Sequence, residues 1–295
     1  MALPQSTPVA ATALKGTSSR RREEQTARIV SLILLLPGMA AVLLPVVWMA
    51  AVSLEDMSQV LAFPPSLIPN PLVLRNYPDG LNLLPFGLYF LNTTQYAILR
   101  ALGVVISASL AGFAFARLRA PDRGPLFVIV LATMMLPYSV TMIPQFVLFK
   151  WLGWLDSYKP LIVPGWLGAA PFFVFLFRQF FRSVPEEVFE AAKIDGCSYL
   201  QLYWKIMVPL ALPAFATAGI LVFQNSWDEL LGPLIYINSN DKYPVSLALA
   251  TLRSSLGNSP WNEIMAVSIV AALPPVLLFA FFQRYIISGV VVTSK

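Results

Sequence analysis

Apolar residues fall in six long runs along this chain, each bounded by Arg, Lys, Asp or Glu. Crossing a hydrocarbon layer of ~30 Å takes about 20 apolar residues at ~1.5 Å of helical rise each. The runs at 29–53, 90–116, 125–149, 161–177, 209–237 and 264–282 therefore predict six membrane-spanning helices. Arg100 interrupts the second, and Asp228 and Glu229 lie in the far part of the fifth. The runs are continuous rather than short and alternating, which argues against a β-barrel. Prolines 137, 144, 164, 171, 213, 274 and 275 fall within them. Kinks or breaks are expected there, because neighbouring helices can satisfy the carbonyls that proline frees. The expected fold class is an all-α integral membrane protein of about six helices, with a tail at 1–28, a membrane domain at 29–289 and a short tail at 290–295.

Composition agrees with that pattern. The chain is 57% hydrophobic and 12% charged, against about 45–50% and about 25% in soluble proteins, and its mean hydropathy is +0.70. Charge sets the orientation. Fourteen Lys and Arg lie in the first tail, the second-to-third and fourth-to-fifth connections and the last tail, and five lie in the other connections. Both termini are thus expected on the cytoplasmic side of the membrane. The Ala/Thr/Ser-rich tail up to about Gln25 has no periodicity and is expected to be disordered. The apolar run after its arginines is too long for the core of a signal peptide.

Other signals are missing. The chain has no histidine and one cysteine, Cys197, so neither an internal disulfide nor a multi-ligand zinc site is expected. No G-x-x-x-x-G-K-[ST] occurs, and no nucleophile–base–acid set is visible. Catalysis, cofactors and nucleic acid are not expected of this chain; its lipid surroundings are.

Residues 178–209, "RQFFRSVPEEVFEAAKIDGCSYLQLYWKIMVP", stand apart. Ser183 and Glu186 have the spacing of a capping box, which predicts a helix from about Val184 with acidic residues in its first turn. Gly196 supplies a left-handed stop. Ser198 and Gln201 repeat the box and predict a second helix ending at Pro209. Such a two-helix hairpin either lies on lipid or docks on protein, and acidic residues beside Ala191 and Ala192 suit a protein surface better than an anionic leaflet.

The spacing E-A-A, three residues, G, nine residues, I, one residue, L-P is the hallmark of binding-protein-dependent ABC importer permeases. Glu190-Ala191-Ala192, Gly196, Ile206 and Val208-Pro209 resemble it, with Val208 in place of Leu. "FLNTTQYAI", "AGFAFARLR", "NSWDELLGPLIY" and "FFQRYIISGV" are similar to words in the carbohydrate-uptake permeases related to the smaller membrane subunit of the maltose transporter. The resemblance implies a permease subunit that moves a carbohydrate or related polyhydroxy solute. Its implied partners are a second permease, non-identical by the family pattern although a homodimer fits the sequence equally well, two ATP-binding subunits that carry ATP and Mg, and an extracellular solute-binding protein. It also implies that Glu190, Ala191, Ala192, Asp195 and Gly196 form the coupling contact with an ATPase subunit. In the family the C-terminal tail reaches toward the ATPases; here it closes as "VVVTSK".

Ionisable and polar groups inside spans are the pathway candidates. Arg100 and the pair Asp228 and Glu229 sit at similar depth by helical rise, so Arg100 is expected to pair with one of the two or to line a water-filled cavity, with snorkelling from a span end as the equal alternative. Asn92, Gln145, Gln224, Asn225 and Trp227 offer hydrogen bonds and a ring face to a sugar, or equally bonds between helices. A secondary transporter and a membrane scaffold are the alternatives; the first wants inverted repeats and proton-relay groups, and the second leaves the hairpin unexplained.

Overall fold

The computed structural model describes residues 11–255 and 260–291, and every regular element among them is helical. In chain order these are α1 (Ala11–Val52), α2 (Met57–Val60), α3 (Asn76–Asn82), α4 (Phe86–Arg117), α5 (Arg123–Thr133), α6 (Tyr138–Trp151), α7 (Lys159–Trp166), α8 (Pro171–Ser183) and α9 (Glu186–Ile194). There follow α10 (Tyr199–Leu202), a π-helical turn at Tyr203–Met207, α11 (Val208–Leu210), α12 (Leu212–Asp228), α13 (Leu231–Tyr236), a 3-10 turn at Asn240–Lys242, α14 (Val245–Ser255) and α15 (Trp261–Val291).

Four helical stretches are long and apolar enough to cross a membrane unaided: Ser31–Val52, Phe86–Arg117, Lys159–Ser183 and Trp261–Gln283. Two further helix pairs are as apolar but sharply bent, α5 with α6 at 96° and Tyr199–Leu210 with α12 at 78°. The total is four crossings, or up to the expected six if each bent pair is one span. The break in the third follows from Pro137, whose ring disfavours helical backbone at Leu136; Pro137 itself is extended at φ −62° and ψ 139°. Pro144, Pro164, Pro274 and Pro275 stay inside helices.

Several expected boundaries shift. The helix carrying the first span begins at Ala11, within the segment expected to be disordered; residues 1–10 and 292–295, the latter most of the last tail, lie outside the described residues. The fifth span ends at Asp228 rather than Ile237, because Glu229 is extended and α13 starts a new direction after it.

α4 is the central helix, packed on α8, α12 and α7, while α12 also packs on α15. Close approach is made by glycine. A Cβ on Gly112 would lie 2.6 Å from Phe177 Cβ and 2.9 Å from the Arg178 amide nitrogen, and one on Gly103 would fall inside the Trp166 indole. Large apolar side chains such as Leu35, Val42, Val128 and Leu277 stay exposed on the outer faces. Lipid covers such faces at no cost, so helix association relies on small residues and packing instead.

Candidate functional site

The hairpin forms, with one change at its start. α9 begins at Glu186 and not at Val184. Pro185 disfavours helical backbone at the residue before it, Val184 is extended at ψ 130°, and Ser183 Oγ donates back to the Phe180 carbonyl at 2.7 Å rather than capping forward. The far end follows expectation. Gly196 adopts φ +80°, its N–H donates to Lys193 O at 3.0 Å and that of Cys197 to Ala192 O at 3.0 Å. These are the two bonds of a Schellman stop. The second box is complete, with Ser198 N to Gln201 Oε1 at 2.9 Å and Gln201 N to Ser198 Oγ at 3.3 Å. The second helix runs past Pro209 to Leu210 by way of the π turn.

Two cations stiffen the hairpin. Lys193 Nζ donates to Tyr199 Oη at 2.9 Å and sits over the Phe189 and Tyr199 rings at 4.9 and 4.6 Å. Arg117, at the end of α4, donates to the carbonyls of Phe181 and Val184 and lies over Phe189 at 5.5 Å. Phe189, Ala192, Leu202, Tyr203 and Met207 belong to one apolar cluster with Phe113, Phe177, Phe181 and Val222, so hairpin and spans share a core. Ala192 is therefore not free for a partner: it is 6% exposed and packed inward. Glu190, Ala191, Asp195 and Gly196 are exposed. So is Ile194, at 86%, an apolar side chain at the tip that the sequence reading did not single out. A cavity of about 680 Å³ lies between the arginines Arg117, Arg119, Arg123 and Arg182 and the face of α9 bearing Glu186 and Glu190.

A second cavity, of about 320 Å³, lies among α4, α6, α7, α8, α12 and α13, and Arg100, Gln145, Asn225, Glu229 and Tyr236 contribute to its lining. Arg100 Nη1 stands 3.8 Å from Glu229 Oε2, with the two side chains 29% and 30% exposed. Asp228 is exposed at the end of α12 and makes no ion pair among the described residues.

The other pathway candidates lie elsewhere. Asn92 is buried, and its amide donates to the carbonyls of Asp241 and Tyr243 at 2.8 and 3.2 Å, so it holds the 238–243 connection to α4. Trp227 is buried, donates through Nε1 to Ala271 O at 2.9 Å and rests against Phe223 and Phe90, joining α12 to α15. Gln224 is exposed and lies outside the cavity.

At the end of α4 opposite the hairpin, Asp156 ties two connections together, a contact between residues more than 80 positions apart that no local pattern marks. Its Oδ1 accepts from the amides of Asn238 and Ser239 at 3.0 and 2.8 Å, and its Oδ2 from Ser239 Oγ at 2.6 Å and Lys242 Nζ at 2.7 Å. Asp156 holds φ +55°, the left-handed region. The Lys242 ammonium, with the Ser239 and Asn238 donors, holds the Asp156 carboxyl well below the usual carboxylate range; Asp156 in turn raises Lys242.

As many as six apolar crossings, three of which share a core with the hairpin, give this chain the architecture of a membrane protein. The chain belongs to the family described as binding-protein-dependent transport system inner membrane component, which matches residues 103–292. It is 34% identical over 274 residues to the sn-glycerol-3-phosphate transport system permease protein UgpE of Yersinia pestis, covering 89% of this chain and 95% of that one. It is 36% identical over 243 residues to the arabinooligosaccharides transport system permease protein AraQ of Halalkalibacterium halodurans, covering 78% and 86%. The fold is similar to a chain of a bacterial ABC transporter involved in the import of the acidic polysaccharide alginate, with a TM-score of 0.78, 24% identity and coverage of 90% and 98%.

Proposed function

We propose that this chain and a second, non-identical permease enclose the path of a carbohydrate or related polyhydroxy solute, delivered by an extracellular binding protein and driven by ATP-binding subunits. Family membership and the permeases it resembles support the transport role, and two of those relatives are named for glycerol phosphate and for arabinooligosaccharides. A transporter similar in fold is described in complex with an alginate pentasaccharide-bound periplasmic protein, which supports the binding-protein partner. The excess of Lys and Arg on the hairpin side supports a cytoplasmic hairpin and cytoplasmic termini in the bacterial inner membrane.

The observation that carries the coupling role is the shared core of hairpin and spans. A displacement imposed on Glu190, Ala191, Ile194 or Asp195 from outside passes directly to α4, α8 and α12, because packed cores shift as units rather than deform. ATP and Mg reside on the partner subunits in this reading, and this chain holds neither. No observation favours a secondary transporter or a passive scaffold.

Co-purification tests it. The tagged chain in mild detergent is expected to bring a second permease and an ATP-binding subunit, and Glu190→Arg is expected to lose the ATP-binding subunit while keeping the second permease. Retention of both partners by the variant, or isolation of the unmodified chain alone, removes the hairpin from the ATPase interface.

A further inference from the structure

We infer that the cavity bearing Arg100 and Glu229 is built for an uncharged polyhydroxy solute, with this ion pair as the element that selects against charge; the inference rests on the permease reading above. Among the residues that line the cavity, Arg100 and Glu229 are the only charged ones, and their signs cancel. A solute anion would have to leave water and compete with Glu229 for the one cation. A solute cation meets the guanidinium instead. Neither charge is compensated in surroundings that stabilise ions poorly.

The same pair is well suited to hydroxyl groups. Glu229 is anchored: its Oε1 accepts from the Gly232 amide at 3.1 Å and its carbonyl from Ser246 Oγ at 2.7 Å. Arg100 has no hydrogen bond among the described residues, and its 3.8 Å separation from Glu229 Oε2 exceeds the ~2.7–2.9 Å of a charge-assisted bond. The guanidinium donors are unspent, and Oε2 has acceptor capacity left. A solute hydroxyl can accept from Arg100 and donate to Glu229 at once, which a carboxylate or phosphate dianion cannot do.

Tyr236 and Tyr138 bring two neighbouring hydroxyls to the cavity. With the Gln145 and Asn225 amides on the same lining, the cavity offers donors and acceptors in mixture, as a neutral polyol requires.

The test is saturation-transfer NMR on the assembled complex in nanodiscs, with glucose and glucuronate as a matched pair of probes, comparing the full-length chain with Glu229→Gln. Glutamine keeps the Gly232 contact and leaves Arg100 unmatched. The unmodified protein is expected to favour glucose at least tenfold. Glu229→Gln is expected to cut that preference at least tenfold by strengthening glucuronate binding, and Arg100→Gln is expected to weaken glucose several-fold. Equal binding of the two probes, no binding of glucose, or a Glu229→Gln variant that weakens both together overturns the inference. A complex that assembles but binds the two probes equally fails this inference alone, whereas a chain that brings no partners fails the permease reading.

Discussion

Arg117 Nη2 donates to the carbonyl oxygen of Phe181 at 2.7 Å, while Nε of the same guanidinium donates to that oxygen at 3.1 Å. One side chain at the end of the second span thereby closes the gap to the first residues of the hairpin, and the Val184 carbonyl accepts from it as well. Lysine cannot reproduce this, since a single ammonium lacks the planar fork.

Replacing Arg117 by Met is therefore expected to loosen the hairpin without removing it. Hydrogen bonds to charged groups contribute roughly 1.5–3 kcal/mol, and the partial exposure of Arg117 places the loss toward the lower figure. Transport per ATP hydrolysed is expected to fall several-fold, with ATPase activity in the complex retained and with no rescue by Arg117→Lys. Parallel assays of uptake and phosphate release separate this from simple unfolding; an unchanged ratio of the two would show that the clamp has no part in coupling.

Gly112→Ala is expected to destabilise the membrane domain by about 1–3 kcal/mol, the range for overpacking. The added methyl meets Phe177 Cβ at 2.6 Å and the Arg178 backbone nitrogen at 2.9 Å, neither of which can swing aside. Gly87→Ala, with nothing within 4 Å, is the matched control and is expected to be neutral. Thermal unfolding in detergent distinguishes them.

At the hairpin turn the cost has a different origin. Gly196 has open space around it but holds φ +80°, so Gly196→Ala carries about 1–2 kcal/mol of left-handed backbone strain. Asn tolerates that region better. Amide exchange across α9 and α10 is expected to quicken for Ala and less for Asn; equal protection in all three proteins would contradict the turn geometry.

The Asp156–Lys242 contact makes a pH prediction for the opposite end. A carboxyl with a lowered folded pKa contributes stability that is present above its ordinary value near 4 and is lost only as pH falls through the lower folded value. Lys242 is raised, so its share is present below its ordinary value of 10.5 and lost only above it. Protection of the Ser239 and Asn238 amides is thus expected to hold flat from about pH 5 to 9 and to fail only in stronger acid or base. Asp156→Asn is expected to remove the plateau, which amide exchange of the assembled protein would show directly.

Much of this protein was legible in its sequence. Membrane class and the four unbroken crossings followed from run length, because lipid demands about 20 apolar residues per crossing whatever they pack against. The hairpin followed as well, since Ser198, Gln201 and Gly196 act through bonds to backbone a few residues away. Where local rules competed, the reading slipped: Ser183 and Glu186 had the spacing of a cap, but Pro185 between them set the backbone first. Helical rise places Arg100 at the depth of both acidic residues, and the fold brings it to Glu229 alone.

The sequence by itself determined that the chain is a bundle of membrane helices with a capped hairpin between the fourth and fifth crossings. Only the tertiary structure decided that Ala192 packs inward while Ile194 points out, that Asn92 and Trp227 spend their donors on backbone carbonyls, and that Asp156 anchors a connection more than 80 residues away. The physical reason is the reach of each interaction. Hydropathy and capping act within one helix turn or one membrane thickness and so are written in neighbouring residues. The partner of a polar group is chosen by which helices meet, and in a membrane that choice is made by small residues such as Gly103 and Gly112, whose spacing does not announce the surface they will face.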